Sequence, residues 1–185
     1  MKNRLISFKE TTAASGVAEP LTLQEVKDYL RLEGYFDPSD STATEYDDDD
    51  DLIESLITAA RERVEMFTGL SLVPKTMEIE FDNELGNFKL PFSPVNSITS
   101  VTDADGNDLT YELDVTESII LTALGLNILA EYEVGYTSVP AALKAAMRQE
   151  IAYRYEHRGD EDIKGLCDAA LVLCSQFKEV DTWLA

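Results

Sequence analysis

The hydrophobic period of this chain switches from helical to strand-like and back again, and that switch restricts the fold more than any motif does. Leu52, Ile53, Leu56, Ile57, Ala60, Val64 and Phe67 recur at the spacing of one face of an α-helix, which predicts a helix from about Asp49 to Thr68. Gly69 follows as a C′ residue and Pro74 prevents continuation. From Thr76 the period falls to two: Met77, Ile79 and Phe81 alternate with Glu78, Glu80 and Asp82, the pattern of a half-buried strand. Further strand candidates are Phe88 to Pro91, Ser97 to Thr102, Leu109 to Leu113, Ser118 to Thr122 and Asn127 to Gly135, with a hairpin turn at Asp103-Ala104-Asp105-Gly106-Asn107. Pro91 and Pro94 keep their neighbours at a sheet edge or in a loop.

Helical spacing surrounds this section. Thr22 as N-cap, Glu25 at N3 and the Leu21 and Val26 pair form a capping box and hydrophobic staple that open a first short helix, which ends by Gly34. A third helix opens at Ser138-Val139-Pro140, carries Leu143, Met147, Ile151 and Tyr155 as its apolar stripe, and stops at Gly159. Ile163, Cys167, Ala170, Cys174 and Phe177 predict a fourth. Arg61, Glu62, Arg63 and Glu65 mark one side of helix two as solvent-facing or as a subunit contact. Residues 1–20 are polar, close on Pro20 and read as an extended arm.

The resulting expectation is an α+β chain, mainly a helical bundle of about four helices, with a small antiparallel β-sheet at 76–136 inserted between helices two and three. The organisation expected is an arm over 1–20, a main domain over 21–160 and a C-terminal helix with a tail over 161–185.

Charge limits function. Fifteen Lys and Arg stand against 36 Asp and Glu, a net −21, so most faces repel DNA instead of gripping its phosphates. Repulsion is compatible with DNA passing nearby, because an acidic wall keeps a polyanion from sticking. No apolar run approaches the roughly 20 residues that cross a bilayer, and the polar N-terminus lacks a signal core, so neither a membrane nor secretion is expected.

The residues that carry chemistry are sparse. Cys167 and Cys174 lie about 10.5 Å apart along a helix axis, beyond the roughly 7 Å a disulfide spans, and zinc lacks further ligands. The single histidine, His157, sits at a charged helix end with no nucleophile elbow, where it complements the dipole. The five aspartates Asp47 to Asp51 lack the spacing and central glycine of a calcium loop and read as solvated charges at a helix N-terminus. No phosphate loop, dinucleotide pattern or two-histidine motif occurs. No enzyme activity, cofactor or metal is expected.

Four segments, in order, resemble the head-to-tail connector, or adaptor, proteins of tailed bacteriophages. They are Leu21-Thr22-Leu23-Gln24-Glu25-Val26-Lys27-Asp28-Tyr29-Leu30-Arg31, then Asp50 to Arg61 leading to Thr68-Gly69, then Leu90-Pro91-Phe92-Ser93-Pro94-Val95-Asn96-Ser97-Ile98. The fourth is Tyr132-Glu133-Val134-Gly135-Tyr136 with Val139-Pro140-Ala141-Ala142-Leu143, ending in Tyr155-Glu156-His157-Arg158-Gly159. The resemblance covers about residues 20–160. It departs near the C-terminus, where Cys174-Ser175-Gln176-Phe177-Lys178 replaces the Pro-Tyr-Arg-like stretch many members carry.

The resemblance implies a virion neck protein, assembled in the host cytoplasm, forming a ring expected to match a twelvefold portal. Its implied partners are the portal protein, other copies of itself, and a downstream neck, stopper or tail-terminator protein, with DNA only as passing cargo and no membrane. Phe177, Trp183 and Leu184 are the expected apolar anchors for portal docking. Trp183 at a helix end reads first as a core plug and second as a docking anchor. Two other classes stand beside this: a DNA-mimic inhibitor that uses the −21 as a decoy for a basic protein, and a metal-dependent enzyme built on Asp47 to Asp51.

Overall fold

A computed structural model describes residues 3–12, 18–32, 49–114, 120–121, 123–158 and 165–178. The chain forms two compact units, one from its N-terminal strand and Gly69–Ser138, the other from Ala18–Thr68 and Val139–Phe177.

The first unit holds all the strands: β1 (Arg4–Thr12), β2 (Lys75–Asn83), β3 (Phe88–Lys89), β4 (Val95–Thr102), β5 (Leu113–Asp114), β6 (Ile120–Leu121) and β7 (Gly125–Val134). Four of them make an antiparallel sheet in the order β1-β2-β7-β4, and three short ones a second sheet in the order β3-β6-β5. Met77, Ile79 and Phe81 pair with Tyr132, Ala130 and Ile128, which puts both apolar sets on one face. That face, with Phe88, Leu90 and Ala123, makes the core, and the Phe81 and Phe88 rings stack with centroids 4.0 Å apart. The buried Tyr132 hydroxyl donates to the Pro91 carbonyl at 3.1 Å. The turn expected after β4 is present: Asp103 accepts from the backbone N–H of Asp105 and of Asn107, and Leu109 N–H donates to Val101 O.

The second unit contains α1 (Leu23–Leu30), α2 (Asp50–Thr68), α3 (Ala141–Glu156) and α4 (Asp168–Ser175). Thr22 and Glu25 cap α1 reciprocally, with Leu21 and Val26 buried beside the cap. Ile53, Ile57, Ala60 and Val64 form the buried stripe of α2, and Leu143, Ala146, Met147, Glu150 and Ile151 that of α3.

A mainly helical bundle with a small inserted sheet is not what forms. β1 comes before α1 yet pairs with β2, so the sheet is assembled from both sides of the first two helices. Among the described residues, strands also hold nearly as many as helices. The reason β1 reads as a polar arm is local: register shifts between Leu5 and Ser7 and between Glu10 and Thr12 break the alternation that marks a strand. Leu109 to Glu112 are not strand, and only Leu113–Asp114 is. Helix four is shorter than its spacing suggests: Cys167 is the N-cap and Phe177 lies past the C-cap Gln176.

Candidate functional site

α4 is the described part of the C-terminal segment expected to dock. It buries Ala170 and Cys174 and turns Ala169, Leu171 and Val172 outward, so an apolar face is left open. Phe177 is half-buried, and its N–H donates to the Cys174 carbonyl at 2.9 Å, continuing the turn past the helix. Trp183 and Leu184 lie outside the described residues. Both cysteines are free, and burial pushes the Cys174 thiol up to about 11, which keeps it protonated and unreactive at neutral pH.

One polar cluster in the second unit escapes sequence reading. Glu150 is 1% exposed, on the apolar stripe of α3. Its Oε1 accepts from Arg154 Nε at 2.8 Å and from Arg63 Nη1 of α2 at 3.1 Å, and its Oε2 accepts from the Cys167 N–H at 2.7 Å. Arg154 Nη2 also donates to the Gly165 carbonyl at 2.6 Å. Burial alone pushes the carboxyl up, but the Cys167 N–H and the Arg154 and Arg63 guanidinium groups outweigh it and hold Glu150 below the usual glutamate range. The signal available in the sequence was an acid at the same helical face as Leu143, Met147 and Ile151, with an arginine four residues on.

The arginines of α2 are likewise used inside the unit. Arg61 Nε lies 2.9 Å from Glu19 Oε2 and its Nη1 3.0 Å from Glu65, while Arg63 reaches Glu150. Of the aspartate run, Asp47 and Asp48 lie outside the described residues. Asp49 accepts from the Tyr155 hydroxyl and from Arg158 Nη1 at 3.4 Å, and Asp50 meets Lys27 Nζ at 3.0 Å. These carboxylates are taken by protein donors. Among the described residues, no three His, Cys, Asp or Glu side chains converge as metal ligands, and no helix is long and apolar enough to cross a membrane. His157 caps α3 and stacks on Tyr153 at 4.2 Å, with its Nδ1 2.7 Å from the Tyr153 carbonyl.

The outer face of the four-stranded sheet is the other distinctive surface. Glu78 stands opposite Glu131, Thr76 opposite Glu133 and Glu80 opposite Leu129, on the side away from the core. Lys9 Nζ reaches Glu78 at 2.7 Å, and Ser97 Oγ donates to Glu133 at 3.0 Å. Glu133 and Leu129 are exposed and Thr76, Glu78, Glu80 and Glu131 half-buried, so the face is acidic and partly exposed.

The sequence profile of the phage gp6-like head-tail connector proteins matches residues 43–119. No curated protein is matched by the chain. In solved structures, a chain in the neck of an empty gene transfer agent particle, computed with C6 symmetry, has a TM-score of 0.72 at 21% identity over 96% of this chain and 97% of that one. A chain in the native gene transfer agent virion gives 0.70 at 21%, and one in the native neck, computed with C12 symmetry, 0.67 at 20%, each with the same coverage. The fold is therefore shared with those chains. The family resemblance read from the sequence is borne out over residues 43–119.

Proposed function

We propose that this chain, whose residues 43–119 carry the phage gp6-like head-tail connector match, forms a ring in a virion neck that joins the portal to the next neck or tail component. DNA passes through the centre. The observation that carries the reading is the connector match, extended by a fold shared over 96% of the chain with a chain in the neck of a gene transfer agent particle. The ring is a dodecamer, the symmetry of one of those necks. Phe177, Trp183 and Leu184 dock on the portal, with the open face of α4 leading into them. The acidic outer face of the sheet suits a bore wall, since Glu78, Glu80, Glu131 and Glu133 repel a passing polyanion.

The test is co-sedimentation of the purified chain with portal rings from the same genome, with mass stoichiometry of the complex. One copy per portal subunit is expected. A folded chain that leaves the portal in the supernatant refutes the reading, and tight salt-sensitive binding of that same chain to a basic nuclease or repressor supports the DNA-mimic alternative instead. Deleting residues 175–185 is expected to abolish portal attachment while leaving the thermal midpoint near that of the intact chain. A large drop in midpoint would make these residues core.

A further inference from the structure

We propose that Glu150 is the positioning residue of the docking element: its carboxylate is the catch that fixes α4, and α4 opens at that catch while α2 and α3 stay folded. α4 has eight residues, too few for a helix to stand alone in water. Its fully buried side chains, Ala170 and Cys174, are small, and the larger Leu166, Leu173 and Phe177 are only half-buried. The grip is polar and lies at the entry to the helix. Glu150 takes the Cys167 N–H at 2.7 Å while its partner Arg154 takes the Gly165 carbonyl at 2.6 Å, so one buried ion pair holds the turn by an amide and a carbonyl. Arg63 ties the same carboxylate to α2 at 3.1 Å. Bonds to a buried charge are the strong kind, and losing one leaves the remaining partners unsatisfied. Segments that bury little large apolar side chain open below the global unfolding free energy, and within α4 only Ala170 and Cys174 are fully buried.

This inference rests on the docking reading only for what α4 meets; the catch is measured without portal. Hydrogen exchange of the full chain is followed by mass spectrometry across a series of low urea concentrations. Amides of α4 are expected to be protected roughly tenfold or more below those of α2, with little urea dependence. Glu150→Gln is expected to lower α4 protection by a further tenfold or more, leaving β2 and β7 unchanged and α2 affected less.

A single protection level and a single urea slope for α2 and α4 in the unaltered chain overturn the proposal, whether or not the variant folds. An equal loss over α2, α3 and α4 in Glu150→Gln also overturns it. In portal co-sedimentation, Glu150→Gln is expected to weaken attachment about tenfold, and Phe177→Ala to weaken it with α4 protection unchanged. An unaltered chain that shows the α4 opening but does not attach to portal refutes docking and leaves the catch standing.

Discussion

Replacing Gly135 by alanine tests how β7 leaves the sheet. Gly135 is buried with φ +111°, and a Cβ there would lie 2.2 Å from the Val73 carbonyl oxygen and 2.5 Å from its carbon. Gly135 N–H donates to the Pro94 carbonyl, and Asn96 Nδ2 donates to the Gly135 carbonyl, each at 2.9 Å, so its backbone cannot turn away without breaking both. An L-residue at positive φ costs about 1–2 kcal/mol, and forcing an added methyl against fixed backbone costs about 1–3 kcal/mol more. Gly135→Ala is thus expected to lose about 2–5 kcal/mol. The control is Gly106→Ala, at φ +82° with nothing within 4 Å of a built Cβ, where only the conformational cost of about 1 kcal/mol applies. Urea unfolding followed by far-UV circular dichroism gives both values, and the midpoint of Gly135→Ala should fall well below that of Gly106→Ala. Equal losses would mean that the contact with Val73 carries no energy, and the account of Gly135 would fail.

Smaller perturbations probe other joints. Tyr132→Phe leaves the Pro91 carbonyl without its 3.1 Å donor and is expected to cost about 1 kcal/mol in urea unfolding; an unchanged midpoint would show that the bond contributes nothing. Thr22→Ala removes the hydroxyl that accepts the Glu25 N–H, the side-chain half of the α1 capping box, and should cost about 1 kcal/mol, with Thr22→Ser close to the original. Because the folded-state pKa of Glu150 is depressed, its contribution is present above the unfolded glutamate pKa and is lost as pH falls through the lower folded value. Thermal midpoints measured down the acid side should show this loss, and Glu150→Gln should flatten it; a parallel acid profile in the variant would assign the loss to other carboxylates.

The legible parts of the fold are those fixed by neighbours in sequence. The cap at Thr22 and Glu25, the stripe of α2 and the alternation of β2 each depend on residues within a few positions, and each is where the sequence puts it. β1 depends on a partner far along the chain, Leu5 facing Phe81 and Phe8 facing Ile79, and its bulges erase the period that would have announced it. Without β1, the remaining strands read as an insertion within helices, which is why the helical character was overestimated. Glu150 was hidden for a related reason: a carboxylate reads as solvated until three donors from separate segments are seen to meet it.

The distribution of charge separates the two units in a way that net charge does not. In the helical unit the acids are spent on structure: Glu19 and Glu65 on Arg61, Glu150 on Arg63 and Arg154, Asp49 on Arg158 and Tyr155, Asp50 on Lys27. Between Gly69 and Ser138 the sequence offers only Lys75 and Lys89 against twelve acids, so comparable pairing is impossible there. Glu78 and Glu131 face each other directly across β2 and β7, an arrangement of like charges that destabilises a sheet, and the cation that relieves it, Lys9, comes from β1. The face carries this cost on the side of the sheet away from the apolar core. Under the neck role proposed above, that cost is offset by function, because such a face repels a passing polyanion.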